Sequence, residues 1–294
     1  MSKKLYEIFI IDARKEYEML IQLLPAPPRS ALSAIDKSKN QDLIANYPNL
    51  EAAIKEILDL KPQVIAFGEI HPDPGFTYKS TKARFTESIL PLLAANGLRD
   101  LVIEQILTDP KIEAELKHFY DTGCEIDEKN TPTLLNNIKY SDKQDLIKMI
   151  KKCRALGIRV HAGGMTIAQA DETIKHADFS NKITLRDKAR KFTGKAMKTA
   201  INKLLRTNPK MRFAIYGGLI HNNIADNNPF LTDGTNFGRA LSKRLGKGYF
   251  EIDLLPSQEK ETIDTFGKIK NWEKLIPVNG VTCIKRNQTR IIFF

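Results

Sequence analysis

Short apolar runs rich in β-branched and aromatic residues recur along the chain, and longer stretches with helical spacing separate them. Runs that are apolar at nearly every position are typical of strands buried on both faces, as in the parallel sheet of an α/β protein. We therefore predict an α/β fold with a mainly parallel central sheet flanked by helices. The predicted strands cover 63–67, 100–103, 157–160, 212–216 and 249–255.

The stretches between these runs place apolar residues three and four positions apart, which predicts amphipathic helices. One of them is followed at once by Gly157, a residue type common just past a helix end. Near the end of the chain, residues 281–285 and 289–294 flank a short polar turn, so we predict a hairpin at the sheet edge. The predicted helices cover 49–60, 82–96, 111–120, 141–156, 165–176, 185–206 and 236–246.

The first 48 residues fit this alternation less well. Residues 5–11 have the composition of a strand, whereas the proline-rich segment 24–28 cannot continue a helix. We predict that residues 1–48 form an N-terminal extension. Residues 49–294 are then a single α/β domain with its site at the C-terminal ends of the strands.

The composition is that of a globular protein, with 42% apolar and 28% charged residues. No apolar stretch approaches the roughly 18 residues that a membrane-spanning helix needs. The first apolar run is broken by Glu7 and Asp12, which is unlike a signal peptide. Three widely spaced cysteines favour a reducing compartment. We expect a cytoplasmic protein, or one exported without a cleaved signal peptide.

Positive charge is concentrated in one segment. Residues 182–212 contain eleven basic residues and one acid, and so supply ten of the eleven net positive charges. Wound as a helix, this segment places lysines on one face and apolar residues on the other. Such a face is either a solvated surface or a docking site for phosphate groups, acidic lipids or nucleic acid. It includes Lys188, Lys191, Lys195 and Lys198.

Glutamate and histidine residues follow four of the five predicted strands. In an open α/β sheet, ligands bind in the crevice at the carboxyl ends of the strands. Glu69 and His71 are two positions apart, so on an extended backbone the acid can orient the imidazole and raise its basicity. His118 and His176 fall in predicted helices, where we expect ordinary surface positions. The other candidates at strand ends are Glu104, His161 and His221.

The local sequence around three candidate residues indicates what each one needs. Glu104 ends an apolar run, and a buried carboxylate requires a hydrogen-bond or charge partner. His221 follows Gly217 and Gly218, which predicts a flexible turn before a functional imidazole. Arg186 falls within the apolar arc near the start of the basic helix, where a guanidinium needs a carboxylate or an anionic ligand.

The same residues supply nitrogen and oxygen ligands suited to zinc, manganese or cobalt. Neither an HExxH motif nor paired cysteines accompany them, so a divalent metal and a metal-free acid–base site both remain open. The metal ligands would be Glu69, His71, Glu104 and His221. His161 is a weaker candidate for cofactor binding, on position alone.

Four short motifs resemble those of the erythromycin esterase, ChaN-like and Tiki superfamily. The segment Gly68-Glu69-Ile70-His71 is similar to its Gly-Glu-x-His signature, and Glu104 to the strand-ending glutamate that follows. Arg186-Asp187 resembles its Arg-Asp element, and Gly218-Leu219-Ile220-His221 its late Gly-x-x-His. The motifs keep the order of that group and span about half of the chain, residues 63–223.

This resemblance implies a parallel α/β fold with its site at the strand C-termini. It implies His71 as a general base or ligand, Glu69 and Glu104 as orienting or binding groups, His221 as a second imidazole and Arg186 as an anchoring cation. The group includes esterases, metal-dependent peptidases and haem-binding proteins. The spacing of Glu69 and His71 in this chain resembles that of the ChaN-like members of the group.

Three functional hypotheses follow. The first is a hydrolase that activates water against an ester, amide or phosphoester in a small-molecule or peptide substrate with an anionic group. The second is a non-catalytic protein that binds haem or a small ligand. The third is an interaction protein that docks on an anionic surface through the cationic helix.

Overall fold

A computed structural model gives the fold of the chain. The structure describes residues 43–69, 79–138, 143–175, 182–218, 221, 236–257 and 280–294. Within these ranges the side chains of residues 174–175, 182–187 and 286 are not described. The predicted strand over 5–11 and His71 and His176 lie outside the described residues.

One sheet of eight strands forms the centre of the described structure, in the order β1-β7-β8-β6-β2-β5-β3-β4. The neighbours β6, β2, β5, β3 and β4 are parallel, as is the pair β6 and β8. The predicted α/β fold with a mainly parallel sheet is confirmed. The strands are β1 (Leu43–Tyr47), β2 (Val64–Glu69), β3 (Asp100–Thr108), β4 (Arg159–Thr166), β5 (Phe213–Gly218), β6 (Tyr249–Leu255), β7 (Val281–Arg286) and β8 (Thr289–Phe293).

The predicted C-terminal hairpin is formed by β7 and β8. Its turn places Asn287 at φ 48°, in the left-handed region that asparagine tolerates better than most residues. β1 pairs antiparallel with β7 and so extends the sheet by one strand beyond the hairpin. Residues 43–47, from the predicted N-terminal extension, are therefore part of the central sheet.

Helices occur close to the predicted stretches, and their ends follow from local sequence. The Asn49 side chain accepts the N–H of Ala52 at 2.9 Å and so caps α1. Gly157, at φ 68°, follows α6 as predicted. The helices are α1 (Leu50–Asp59), α2 (Thr81–Arg84), α3 (Leu90–Ala95), α4 (Pro110–Thr122), α5 (Pro132–Asn137), α6 (Lys143–Ala155), α7 (Ile167–Lys175), α8 (Lys182–Thr207) and α9 (Gly238–Leu245), and a π-helical turn (Phe85–Ile89) joins α2 to α3.

Helices cover both faces of the sheet, and each face has its own core. On the first face, α1, α3, α4 and α6 pack against strand residues that include Ile65, Phe67 and Ile103. On the second face, α8 and α9 pack against Val64, Val102 and neighbouring strand residues. Because alternate side chains of a strand point to opposite faces, each buried strand contributes to both cores.

Candidate functional site

Two adjacent residues of β3 direct their side chains to opposite faces of the sheet. Glu104 follows Val102 on the second face, and Gln105 follows Ile103 on the first. The register of β3 against β4 shifts directly after Ile103, so these residues lie where regular pairing ends. The C-terminal end of the sheet carries two polar clusters, one on each face.

The cluster on the second face consists of Glu104, Gly217, Gly218 and His221, and we call it the Glu104 cluster. Oε2 of Glu104 accepts the backbone N–H of Gly218 at 2.6 Å. Oε1 lies 3.4 Å from Nε2 of His221, and both side chains are 8% exposed. A backbone donor and an imidazole therefore face the two oxygens of a nearly buried carboxylate, as its burial requires.

Gly217 provides the space that the Glu104 side chain occupies. A Cβ at position 217 would lie 2.3 Å from Oε2 of Glu104 and 2.9 Å from its Cβ. Both distances are far below van der Waals contact, so no other residue fits here unless Glu104 moves. The first glycine of the Gly-Gly pair is thus explained by the approach of the carboxylate, whereas the sequence predicted only a flexible turn.

Backbone hydrogen bonds hold His221 between β5 and α9. The N–H of His221 donates to the carbonyl oxygen of Gly218, the last residue of β5, at 3.0 Å. The carbonyl oxygen of His221 accepts the N–H of Phe237 at 2.9 Å, one residue before α9 begins. These bonds fix the imidazole beside Glu104, although the two residues are distant in sequence.

The cluster on the first face consists of Glu69, Lys82, Gln105 and Tyr216, and we call it the Glu69 cluster. The carboxylate of Glu69 accepts the Nε2–H of Gln105 at 2.7 Å on Oε1 and the hydroxyl of Tyr216 on Oε2. Nζ of Lys82 lies 3.8 Å from Oε1. Two hydrogen-bond donors and one cation, from three different elements, therefore surround one carboxylate.

Lys82 is fully buried, which is rare for a lysine without a charge partner. It lies in α2, whose start is capped by the Ser80 hydroxyl accepting the N–H of Ala83 at 3.0 Å. The π-helical turn begins at Phe85, three residues after Lys82, and such turns are frequent near functional sites. The Glu69 cluster therefore presents a fixed, charge-compensated acceptor at the end of β2.

The structure brings Glu104 and His221 together and places Glu69 on the opposite face of the sheet. His71 lies outside the described residues. Arg186 lies in α8, near its start, and its side chain is outside the described residues. The arrangement of all the candidates in one group is therefore not supported, since two of the described ones occupy separate clusters.

The predicted position of His161 at a strand end is wrong. β4 begins at Arg159 and continues to Thr166, so His161 is near its start. In the sheet register it lies level with Val102, about 10 Å along the strand direction before the end of β2. Its Nε2 lies 2.7 Å from Oδ1 of Asp100. We do not include His161 in the proposed site, and its predicted role in cofactor binding stays a prediction.

The described residues do not assemble a metal site. Glu104 and His221 supply one oxygen and one nitrogen, whereas catalytic zinc sites use three protein ligands. Among the described residues, no group of three His, Cys, Asp or Glu side chains could hold a metal ion. We therefore derive no chemical step through a metal.

Sequence reasoning missed three residues of the Glu69 cluster: Lys82, Gln105 and Tyr216. Gln105 follows directly after Glu104, and Tyr216 directly precedes Gly217, so both were within or beside segments already singled out. Lys82 carries no comparable signal, because a lysine in an amphipathic helix is ordinarily at the surface.

The described part of the basic helix, from Lys188 onward, contains both buried and exposed side chains. Ala189, Met197, Ile201 and Leu204 are buried. Lys191 and Lys195 are exposed, whereas Lys188 and Lys198 are half-buried. Lys188 pairs with Glu172 of α7 at 2.8 Å. Among the described helices, none has the length and apolar composition that crossing a membrane requires.

No family model and no curated protein sequence matches this chain. Solved structures with a similar fold include the type III effector HopBA1, with a TM-score of 0.45 and 14% identity over 69% of this chain and 81% of that one. ChaN of Campylobacter jejuni, from a structure of cofacial haem binding, has a TM-score of 0.46 and 10% identity over 74% of this chain and 91% of that one. A mutant of the erythromycin esterase EreC in its open conformation has a TM-score of 0.45 and 10% identity over 69% of this chain and 72% of that one.

Similar structures thus include a ChaN protein and an erythromycin esterase, as the resemblance of the motifs led us to expect. The fold assignment rests on the order and direction of the strands.

Proposed function

We propose that the protein is a hydrolase in which the Glu104–His221 pair transfers protons during attack of water on an ester, amide or phosphoester. The observation that carries this proposal is the contact of a nearly buried imidazole with a nearly buried carboxylate at the C-terminal end of a parallel sheet. Ligands of open α/β folds bind at that end.

In the proposed mechanism, the contact with Glu104 sets the tautomer of His221. With Glu104 ionised, Nε2 carries the hydrogen that faces Oε1, and Nδ1 then has the lone pair. In the proposed reaction Nδ1 accepts a proton from water while the oxygen attacks the carbonyl carbon or the phosphorus. The same proton then passes to the leaving group, so the imidazole ends neutral. Glu104 keeps the ring in one tautomer and compensates its transient charge.

In this proposal His71 contributes a second imidazole, and Glu69, two residues before it, orients that imidazole. Gln105, Tyr216 and Lys82 fix the Glu69 carboxylate, and His71 follows it by two residues. In this proposal Arg186 binds an anionic group of a small-molecule or peptide substrate. These assignments rest on sequence position and on the resemblance of the motifs.

The test uses purified protein with three probes: p-nitrophenyl acetate, bis-p-nitrophenyl phosphate and a p-nitroanilide peptide. His221→Asn and Glu104→Gln are expected to lower the turnover of a hydrolysed probe by about 10²–10⁴-fold. His118→Gln is the matched control, because His118 is exposed on α4. Equal turnover in His221→Asn and His118→Gln would refute the assignment of His221.

Binding of haem or another small ligand without turnover is the alternative that the resemblance suggests. A shift of the haemin Soret band that is lost in His221→Asn, together with no hydrolysis of any probe, would favour it. Elemental analysis of the same preparation would report a bound divalent metal. Docking on an anionic surface would use different residues, on the outer side of α8 and α9.

A further inference from the structure

α8 and α9 lie side by side on the second face of the sheet. Met197 and Ile201 of α8 and Leu241 of α9 pack in the same core. At the surface, Nη1 of Arg244 donates to Oδ1 of Asn202 at 3.1 Å. The outer sides of the two helices therefore form one continuous surface. α8 alone, with 26 residues, is about 39 Å long.

From Lys188 onward, α8, α9 and the segments that directly follow them carry only one sign of charge in the sequence; Asp187, whose side chain is not described, lies just before this stretch. Residues 188–218 and 236–248 contain 13 Lys and Arg and no Asp or Glu. The rest of the chain has 33 Lys and Arg against 35 Asp and Glu, so these two segments account for the whole positive net charge. Ten of the 13 form what we call the basic layer: Lys191, Lys195, Lys198, Lys203, Arg206, Lys210, Arg239, Lys243, Arg244 and Lys247, all exposed except the half-buried Lys198.

We propose that the basic layer docks on the surface of a membrane that contains anionic lipids. Clustered lysines and arginines bind such surfaces through the summed attraction of their charges, without a shaped pocket. Seven of the ten residues are lysines. A lysine ammonium acts as a point charge, whereas an arginine guanidinium binds one phosphate through two parallel hydrogen bonds. This composition suits lipid headgroups that move freely in a plane.

The described part of this surface lacks the groups that recognise nucleic acid by its bases, so only its phosphates would be attracted. Single-stranded nucleic acids are held by exposed aromatic rings on which bases stack. The large exposed apolar residues of the described structure are Leu43, Ile44 and Leu60, and none of them lies on α8 or α9. Sequence-specific reading of a duplex relies on arginine, asparagine and glutamine at base edges. Among the described residues of these helices no large apolar side chain is exposed, which also predicts docking at the headgroups, without insertion into the bilayer.

The experiment is sedimentation of the whole protein with large unilamellar vesicles. One set is phosphatidylcholine alone, and the other contains about one third phosphatidylserine. We expect binding to the second set only, weakened at least about tenfold when salt rises from about 0.1 M to about 0.5 M. Binding that is equal for both sets or insensitive to salt would overturn the proposal.

Two variants with equal changes in net charge locate the surface. The test variant combines Lys191→Gln, Lys195→Gln, Lys243→Gln and Lys247→Gln and is expected to weaken vesicle binding at least about tenfold. The control neutralises four exposed lysines elsewhere, Lys55, Lys111, Lys129 and Lys152, and is expected to retain most binding. Circular dichroism checks that both are folded. Equal losses in both variants would show a general charge effect and refute the assignment.

A competition experiment separates lipid from nucleic acid. Duplex DNA or single-stranded RNA, at the same phosphate concentration as the vesicles, is expected to displace little protein. Tighter binding to either nucleic acid than to the phosphatidylserine vesicles would overturn the proposal. The result is independent of hydrolysis, because none of the mutated lysines belongs to the Glu104 or Glu69 cluster.

Discussion

The carboxylate of Glu104 occupies the space above Gly217 into which any other side chain would project. The Cβ of an alanine at position 217 would lie 2.3 Å from Oε2 of Glu104. The same oxygen accepts the N–H of Gly218, and the other oxygen faces His221. A glycine of β5 therefore decides whether the acid–imidazole pair can form.

We predict that Gly217→Ala displaces Glu104 and lowers the free energy of unfolding by about 1–3 kcal/mol. The reason is that the alanine both overpacks the strand and breaks the hydrogen bond to Gly218. Gly248→Ala is the control, because its Cβ would meet only ordinary contacts at 3.6 Å. Urea unfolding followed by circular dichroism measures both variants, and equal stabilities would contradict the prediction.

Removal of Lys82 is expected to be far more costly than removal of a surface lysine. Lys82→Met leaves the buried Glu69 without its cationic partner, for which we expect a loss of about 3–5 kcal/mol in the free energy of unfolding. Lys79→Met is the control, since the Lys79–Glu87 pair is exposed and such pairs contribute about 0–1 kcal/mol.

The double variant Lys82→Met with Glu69→Gln completes a double-mutant cycle, which measures the coupling energy of this pair. It is expected to lose less stability than the sum of the two single variants, because no isolated charge is left buried. Additive losses would show that the two side chains are not coupled.

Most of the fold follows from sequence because buried strands and amphipathic helices have strong patterns. β6 occupies the predicted range 249–255, and Gly157 follows α6 as expected. The extension of β3 to Thr108 was not predicted, since Glu104 and Gln105 interrupt the apolar pattern there. Their polar side chains are tolerated because each has partners in a cluster that only the tertiary structure assembles.

The candidate site was predictable in part. Strand-end position was enough to bring Glu104 and His221 together, because parallel strands end at one edge of the sheet. It could not show that Glu69 points to the other face. A strand buried on both sides is apolar at every position, so its sequence carries no alternation from which the face of a polar residue can be inferred.

Acid is expected to weaken the contact between β1, α1 and β7. Burial raises the pKa of Glu56, but hydrogen bonds from Lys285 and Tyr47 outweigh it and leave that pKa below its ordinary value of 4.5. Nζ of Lys285 lies 2.6 and 2.8 Å from the two carboxylate oxygens. A lowered pKa in the folded state stabilises the protein above pH 4.5, and this contribution is lost as the pH falls through the folded value.

The stability difference between the native protein and Glu56→Gln should therefore be largest near neutral pH and shrink below about pH 4.5. Urea midpoints measured from pH 7 to pH 3 check this. Glu128→Gln, at an exposed position after α4, should show a small difference that changes little over the same range. A constant difference for Glu56→Gln would exclude the ionised pair as its cause.

The three cysteines are expected to differ sharply in reactivity. Burial raises the pKa of the Cys153 thiol to about 12 and that of Cys283 to about 11, so both stay protonated at pH 8. Both side chains are also inaccessible, at 0% and 1% exposure, whereas Cys124 is half-buried. Since the thiolate is the reactive form, iodoacetamide should modify Cys124 first.

Intact-mass measurement is expected to show one alkyl group per native chain and three after unfolding in guanidinium chloride. Cys124→Ser should remove the early modification and leave the late ones unchanged. Early modification that persists in Cys124→Ser would mean that β7 or α6 opens on the time scale of the reaction, because Cys283 and Cys153 react only when their elements separate from the core.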